Sequence, residues 1–384
     1  MGWLWLHGEA IRLRFPLRSN GRIGNPSYGK IPFPDSLTAN SLTQLDHITD
    51  VKSLLQTLGR PNERDVQVAG KIDGDVMVLG AAGKMGPTLV SRIVNAFQMA
   101  DQANRVIAVS RFQDDQAESE IRHSGATVIA ADLMNEKDLA ALPDAANVIH
   151  LVGMKFGSSG KSPMTWAVNT FLPGRVAQRF RDANIVALST GNVYGEVAVD
   201  GGGSVETDEL RPVGEYAQSC VGRERIFQYF SERHRTPVCL VRLNYAVETR
   251  YGVLLDIGQN VFAGRPVSLA IGHVNVIWQG DANSVCFRAL QHCRSPAEVL
   301  NLTGPQRSVR EIAERFGRLF DKPPRFEGQP RATALLSDAS RCEKTLGGPA
   351  TPVDQVIELV ARWIATGQPT HGKPTKFERH DGRF

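Results

Sequence analysis

The sequence contains, at residues 75–86, the stretch Asp75-Val76-Met77-Val78-Leu79-Gly80-Ala81-Ala82-Gly83-Lys84-Met85-Gly86. Four apolar residues typical of a buried strand run directly into glycines 80, 83 and 86. The following residues, 87–94, have the apolar spacing of a helix. Three spaced glycines among the 36 in the chain would be weak evidence alone. A strand, a glycine turn and a helix start together favour a dinucleotide-binding βα unit over a plain tight turn.

A physical reason explains why glycine occurs at each of these three positions. Gly80 lets the chain turn sharply off the strand, Gly83 leaves no side chain between the backbone and a diphosphate, and Gly86 lets helix and strand pack closely. The first N–H groups of the helix and its dipole then attract the phosphates. We therefore expect Gly80, Gly83, Lys84, Met85 and Gly86 to bind a nucleotide cofactor.

Composition and charge exclude several classes of protein. The chain has 384 residues, which is enough to bury a large core in one large domain or two closely packed ones. Its formal charge of +4 is carried by residues 1–30, and the remainder holds 39 basic and 39 acidic residues. A neutral body of this kind does not indicate a nucleic-acid partner.

Cysteine usage and hydropathy predict a cytoplasmic protein. The five cysteines are an odd number and form no Cys-x-x-Cys motif, so neither a disulfide framework nor a zinc site is indicated. No apolar run approaches the roughly 20 residues of a membrane span, so we expect no membrane partner.

The two ends of the chain differ from its middle. Residues 1–44 are interpreted as a disordered leader or translation from an upstream start, with an organelle-targeting peptide as the alternative. Residues 45–74 predict a helical prelude packed on the sheet, capped by Thr49 or Asp50. Residues 369–384 are polar and are predicted to form a tail.

Between these ends, strands and helices alternate. Apolar strands are predicted at 76–79, 105–109, 126–130, 148–152, 185–188 and 237–242, with long helices over 165–183 and 215–233. This order predicts an α/β fold, a Rossmann-type doubly wound parallel sheet over residues 75–243. Residues 244–368 predict a smaller C-terminal α+β substrate-binding part. It includes Val274–Trp278, Leu300–Leu302 and two helices, one opened by Ser308 and one by Thr351-Pro352.

The order of these landmarks resembles that of the extended short-chain dehydrogenase/reductase family, in its NAD-dependent epimerase/dehydratase branch. The matching motifs are Gly80…Gly86, Ala131-Asp132-Leu133, Val148-Ile149-His150-Leu151, Asn169, Ser189-Thr190-Gly191-Asn192-Val193-Tyr194-Gly195, Tyr216, Arg242-Leu243-Asn244 and Val274–Asp281. The resemblance covers about residues 75–365. It implies a nicotinamide cofactor, a small-molecule substrate and a homodimer built through the two long helices.

The resemblance also implies where the cofactor lies. The residue after the second strand contacts the adenosine ribose, and Arg111 at that place suits a 2′-phosphate. We expect NADP, with NAD as the alternative if Arg111 is only a solvated surface residue. By the same resemblance Asp132 contacts the adenine amine, and Leu133 and Val152 belong to the cofactor site.

The catalytic motif departs from the family pattern. The resemblance implies a tyrosine and, four residues later, a lysine that lowers the phenol pKa from about 10. Here Tyr216 is followed by Cys220 in the lysine position. We expect Lys155, or alternatively Lys161, to supply the missing charge. Two other interpretations are weakened proton transfer, with Cys220 as a participant, and loss of catalysis with retention of the fold.

Further side chains are assigned by position. Ser189 and Thr190 lie where the family has the hydroxyl that bonds the substrate oxygen, although Ser189 could equally cap the loop. Asn192 and Tyr194 are candidates for the same crevice. His150 is expected to be a core residue. Arg242 and Asn244 could reach substrate, or Arg242 could form a structural ion pair.

Together these features predict a nicotinamide-dependent oxidoreductase, epimerase or dehydratase. Its substrate would be a sugar, a nucleotide-sugar or a related hydroxy or keto compound. Tyr216 would be the acid/base, Ser189 or Thr190 would polarise the oxygen, and Lys155 would supply the charge. The alternative is an inactive NAD(P)-binding sensor or scaffold.

Overall fold

A computed structural model of the protein describes residues 45–113, 115–155 and 160–379. Its centre is a sheet of seven parallel strands. These are β1 (Val76–Leu79), β2 (Val106–Ser110), β3 (Thr127–Ala130), β4 (Asn147–His150), β5 (Asn184–Thr190), β6 (Val238–Leu243) and β7 (Glu298–Leu302). The strand order is β7-β6-β5-β4-β1-β2-β3. The chain therefore runs outward from β1 in both directions, which confirms the predicted doubly wound sheet.

The seventh strand corrects the predicted extent of the sheet. Leu300–Leu302 was assigned to the C-terminal part, but Glu298–Leu302 pairs with β6 along its whole length. The predicted Rossmann segment, 75–243, therefore lacks one strand of the sheet. A short apolar run preceded by loops gives no sign of which sheet it joins, because strand pairing is a long-range event.

Both faces of the sheet are covered by helices, because successive side chains of each strand point to opposite faces. Val76 and Val78 pack toward the helices on one face, while Met77 and Leu79 pack toward the helices on the other face. The helices around the sheet are α2 (Glu63–Ala69), α3 (Gly86–Met99), α4 (Asp115–His123), α5 (Glu136–Ala140), α6 (Ser162–Trp166), α7 (Leu172–Arg179), α8 (Gly214–His234), α10 (Gln279–Arg288) and α12 (Ser340–Leu346).

The two predicted long helices are both present. The helix predicted over 165–183 consists of α6, a π-helical turn over Ala167–Phe171, and α7. The helix predicted over 215–233 is α8. A homodimer through their outer faces stays a prediction.

The C-terminal part has its own apolar core. It is formed by α9 (Val253–Phe262), α11 (Val309–Phe320) and α13 (Val353–Ala365), together with α1 (Val51–Leu58). Short strands pair around it: 197–198 with 333–334, 246–247 with 277–278, 266–268 with 325–327, and 273–275 with 306–308. One-turn 3₁₀ helices cover Gly191–Val193 and Ala289–His292.

The segments at the two ends of the described chain are well anchored. Asp50 caps α1 by accepting from the Ser53 N–H at 2.8 Å, as predicted. Ala69 and Ile72 of the prelude join the apolar core on one face of the sheet, and Asp65 of α2 pairs with Arg92 of α3 at 2.7 Å. The predicted tail is anchored at His371, whose N–H donates to the Arg250 carbonyl at 3.1 Å, and at Thr375, whose N–H donates to the Asp256 carboxylate at 2.8 Å. The predicted leader, residues 1–44, and residues 380–384 lie outside the described residues.

Candidate active site

The glycine loop lies at the carboxyl edge of the sheet, and its geometry explains two glycines directly. Gly80 has φ +85°, and a Cβ there would lie 3.1 Å from the Val152 N atom. At Gly86, a Cβ would lie 2.0 Å from the Ala81 carbonyl oxygen. Backbone therefore packs on backbone at both places, so that α3 begins directly behind β1.

The amino end of α3 fits a diphosphate. Its N-cap is Met85, and no side chain of the described residues caps this end. A Cβ at Gly83, which is exposed, would lie 3.2 Å from the Gly80 carbonyl oxygen, so the loop leaves backbone alone facing the crevice. An uncapped helix end with a glycine cradle is the arrangement that binds the phosphates of a dinucleotide.

The predicted adenosine-side residues follow the neighbouring strands at the same edge. Arg111 is exposed immediately after β2, and Asp132 is exposed two residues after β3. The Asp132 carboxylate accepts from the Met134 N–H at 3.0 Å, which fixes its direction. Leu133 is buried beneath this turn. The structure thus brings these three residues to the edge where the cofactor site was predicted.

Beside the glycine loop, the carboxyl ends of β4, β5 and β6 enclose a cavity of about 270 Å³. Its wall includes five side chains with a cationic or hydroxyl group, namely Lys84, Lys155, Thr190, Tyr216 and Arg223. Three of the four predicted catalytic residues therefore have their functional groups at one place, although they come from separate segments of the chain.

The structure separates the two candidate hydroxyls. Ser189 also borders the cavity, but its hydroxyl donates to the buried Glu224 carboxylate at 2.5 Å. The Thr190 hydroxyl accepts from the Asn192 N–H at 3.2 Å and hydrogen-bonds with the Tyr216 phenol. Thr190 is thus the hydroxyl that accompanies the phenol, while Ser189 holds the end of β5 to α8.

The surroundings of Tyr216 disfavour the ionisation of its phenol. Burial raises the pKa of Tyr216 well above its ordinary value, and the neighbouring Cys220 adds to the increase. The charge of Arg223 and the hydrogen bond with Thr190 act in the opposite direction. Burial also raises the pKa of the Cys220 thiol, so Cys220 is a neutral neighbour rather than a thiolate nucleophile.

Lys155 lies close to Tyr216. Its Nζ is 5.8 Å from the centroid of the Tyr216 ring. Burial lowers the pKa of Lys155 to about 8, so that its ammonium is retained at neutral pH. The alternative candidate, Lys161, is exposed at the N-cap of α6 and does not border this cavity.

Arg223 was missed by the sequence reasoning. Its guanidinium donates to the Leu188 carbonyl at 2.6 Å and to the Asn169 side-chain oxygen at 2.9 Å. Arg223 is seven residues after Tyr216, so both lie on the same face of α8. Helical spacing alone would have indicated that Arg223 lies near Tyr216, but the family motif specifies only position 220.

Lys84 was assigned to the cofactor loop, but its side chain reaches the catalytic cavity. Its Nζ lies 3.0 Å from the centroid of the Tyr251 ring, a cation–π contact. Burial lowers the pKa of Lys84 to about 7, and the charges of Lys373 and Lys155 contribute. Tyr251 closes a backbone turn with Glu248 in the C-terminal part, and no local motif marks it.

Other predicted polar residues are structural. Arg242 pairs with Glu224 at 2.7 Å and donates to the Tyr194 hydroxyl at 2.5 Å, with all three side chains buried. The ion-pair interpretation of Arg242 is therefore confirmed. Tyr194 and Asn192 border a second, smaller cavity of about 50 Å³ rather than the one at Tyr216.

Two further residues are excluded from the catalytic cavity. Asn244 donates to the Ser337 hydroxyl at 3.0 Å and does not border it. His150 is fully buried in β4 against the Phe227 ring, and burial lowers its pKa to about 3, so it is a neutral core residue as predicted.

The described residues were also searched for other kinds of site. Within residues 45–113, 115–155 and 160–379, no group of three or more histidine, cysteine or carboxylate side chains could hold a metal ion. Over the same ranges, no helix is long and apolar enough to cross a membrane.

Comparison with known proteins identifies one matching family model. The model of the NAD dependent epimerase/dehydratase family matches residues 76–248. No curated protein matches the chain.

Several solved structures share the fold. A UDP-glucuronic acid 4-epimerase from Bacillus cereus, in complex with UDP-glucuronic acid and NAD, is 18% identical with a TM-score of 0.64, covering 76% of this chain and 99% of that chain. A dTDP-glucose 4,6-dehydratase from Bacillus anthracis in complex with NAD is 16% identical with a TM-score of 0.64, covering 77% and 97%. The epimerase Mth375 from Methanothermobacter thermautotrophicus is 16% identical with a TM-score of 0.64, covering 79% and 96%.

Proposed function

We propose that this protein is a nicotinamide-dependent oxidoreductase, epimerase or dehydratase acting on a hydroxy or keto compound, because the model of the NAD dependent epimerase/dehydratase family matches residues 76–248. The observation that carries the proposal is the cavity shared by Tyr216, Thr190 and Lys155 beside the glycine loop. Two of the similar structures were solved with NAD, and the names of the same two refer to nucleotide-sugars.

In this proposal the cofactor is held by the glycine loop and the start of α3. Arg111 after β2 would pair with a 2′-phosphate, which favours NADP, whereas two of the similar structures contain NAD. The bound nicotinamide would exchange hydride with a carbinol or carbonyl carbon of the substrate. Asp132, Leu133 and Val152 would complete the cofactor site.

The protein's own groups would handle the proton. The Thr190 hydroxyl would bond the substrate oxygen, and the Tyr216 phenol would donate or accept its proton. Burial opposes the phenolate, so this role depends on the positive charges of Arg223 and Lys155. Cys220 cannot replace a lysine in this respect because its thiol is neutral.

The test is turnover of the full chain with NADP and NAD over a panel of sugars, sugar acids, sugar phosphates and nucleotide-sugars, followed by nicotinamide absorbance. Tyr216→Phe should abolish turnover while leaving cofactor binding intact. The matched control is Tyr229→Phe, an exposed phenol on the same helix, which should retain full activity. Full turnover of Tyr216→Phe would contradict the proposed role.

A second candidate function is favoured by Cys220. A cysteine at the family's lysine position is compatible with a protein that binds the dinucleotide as a sensor or scaffold and catalyses nothing. It predicts tight cofactor binding in a fluorescence titration and no turnover with any compound of the panel. Turnover that depends on Tyr216 would exclude it.

A further inference from the structure

A cleft beside α2 lies apart from the catalytic cavity. It has a volume of about 340 Å³ and is bordered by α2, the carboxyl end of α10 and the end of α12; we call it the α2–α12 cleft. The helix α10 reaches from one place to the other, since Gln279 at its start borders the catalytic cavity and Arg288 at its end borders the cleft. Because this helix of 10 residues is about 15 Å long, the cleft is separate from the glycine loop.

The wall of the α2–α12 cleft carries more positive than negative charge. The cationic side chains that border it are Arg64, Lys71, Arg288 and Lys344. Of the described residues on this wall, only Glu343 has a carboxylate, and Glu343 is exposed. An excess of cations in a concave surface raises the local concentration of anions.

Arg288 is a buried cation whose charge is only partly balanced. Its side chain is 5% exposed, and its Nε has no hydrogen-bond partner within the described ranges of the chain. The carboxylate that it faces is that of Asp65, whose Oδ1 lies 3.9 Å from this Nε. Asp65 also pairs with the buried Arg92 at 2.7 Å, so that one carboxylate serves two buried guanidinium groups. A buried charge without full pairing is unfavourable, and an anion in the cleft would complete the balance.

A second guanidinium group approaches Arg288 from α2. The Nη1 atoms of Arg64 and Arg288 lie 1.6 and 3.7 Å from the point that a Cβ on Gly347 would occupy. Gly347 follows α12 with φ +84°, and its lack of a side chain leaves room for the Arg64 guanidinium. Burial lowers the pKa of Arg288, and the charge of Arg64 adds to this effect, although Asp65 opposes it. An anion beside both guanidinium groups would stabilise their positive charges.

We propose that the α2–α12 cleft binds a phosphate group, and that the guanidinium groups of Arg288 and Arg64 donate to its oxygens. Arginine presents a planar fork of N–H donors that matches the geometry of phosphate. Lys71 and Lys344 on the same wall add the charge that attracts a dianion. This site does not depend on the proposed function, because none of the described residues that border it also borders the catalytic cavity.

The test measures the binding of inorganic phosphate to the full chain by calorimetry, and by thermal melting against sodium chloride of equal ionic strength. Phosphate should raise the melting temperature more than chloride does. Arg288→Met should weaken phosphate binding at least about ten-fold, because it removes charge-assisted hydrogen bonds. Arg64→Gln, at an exposed position, should weaken it by about five-fold.

Two further variants separate a local effect from a general one. Glu343→Gln removes the carboxylate from the wall and should tighten phosphate binding about two-fold, a gain that a poorly folded variant would not show. Arg60→Gln is the matched control, since Arg60 is exposed just before α2 and does not border the cleft, and it should change nothing.

A second probe, glycerol 3-phosphate, distinguishes the source of the phosphate group. Tighter binding of this ester than of inorganic phosphate would assign the cleft to a phosphorylated small molecule, and any other order of affinity would assign it to the free ion. The inference is wrong if phosphate acts no differently from chloride. It is also wrong if the Arg288→Met, Arg64→Gln and Glu343→Gln proteins all bind phosphate as the wild type does, because the phosphate then lies elsewhere, such as at the start of α3. Equal losses in the Arg60→Gln and Arg64→Gln proteins would likewise overturn it.

Discussion

Replacing Gly86 with alanine should damage both stability and cofactor binding. A Cβ at this position would lie 2.0 Å from the Ala81 carbonyl oxygen and 2.6 Å from its carbonyl carbon. Neither atom belongs to a flexible side chain, so α3 would have to move away from the loop after β1 by about 1.4 Å to restore an ordinary contact of 3.4 Å. Overpacking of this kind costs about 1–3 kcal/mol. The same movement displaces the amides at the start of α3, and we expect NADPH or NADH to bind at least about ten-fold more weakly.

Two measurements test this prediction: urea unfolding for the free energy of unfolding, and fluorescence titration for the nucleotide. The control is Gly174→Ala in α7, where the added Cβ would make only a 3.5 Å contact with the Ile226 side chain. Alanine in that helix should stabilise the protein by up to about 1 kcal/mol and leave binding unchanged. If Gly86→Ala behaved like Gly174→Ala in both measurements, the close packing of α3 on β1 would not be what positions the amides.

Three more predictions concern single side chains. Two unit charges separated by 5.8 Å, the distance from the Lys155 Nζ to the Tyr216 ring centroid, interact by about 3 kcal/mol at an effective dielectric constant of about 20, so Lys155→Met should lower turnover by up to about 100-fold. Because the pKa of Lys155 is about 8, wild-type turnover should fall as pH rises through that value, and Lys155→Arg should move the fall to higher pH in a pH–rate profile. His150 has a folded-state pKa of about 3, below its unfolded value, so only the unfolded chain binds this proton between pH 6.5 and 3. The free energy of unfolding, measured with urea, should therefore fall as the pH is lowered through that range, and His150→Leu should reduce this fall. In calorimetry, Arg111→Ala should weaken the binding of NADPH about ten-fold and that of NADH only slightly. Equal losses of affinity would show that Arg111 does not contact the 2′-phosphate.

Much of the fold could be predicted from short stretches of sequence, because each depends on contacts within a few residues. The strand–glycine–helix unit at residues 76–94 is an example, since the apolar run, the turn and the helix period are all local. The Asp50 cap was also predicted from its neighbours. The seventh strand was not, because its partner, β6, lies more than fifty residues earlier in the chain.

The candidate site, too, could be predicted from the sequence only in part. The positions of Tyr216, Thr190 and Lys155 after their strands placed them at one edge, because the carboxyl ends of parallel strands lie together. The different roles of Ser189 and Thr190 depend on which buried partner each hydroxyl reaches, and those partners lie in α8.

The sequence by itself determined the parallel sheet and its strand–glycine–helix turn, since periodicity and glycine sterics act between near neighbours. Only the tertiary structure decided which cations surround Tyr216 and that the C-terminal segment reaches the cavity. The physical reason is that side chains separated by many residues meet only after the core has packed, as Thr375 and Asp256 do. The charge of the cavity is therefore a property of the fold rather than of any single motif.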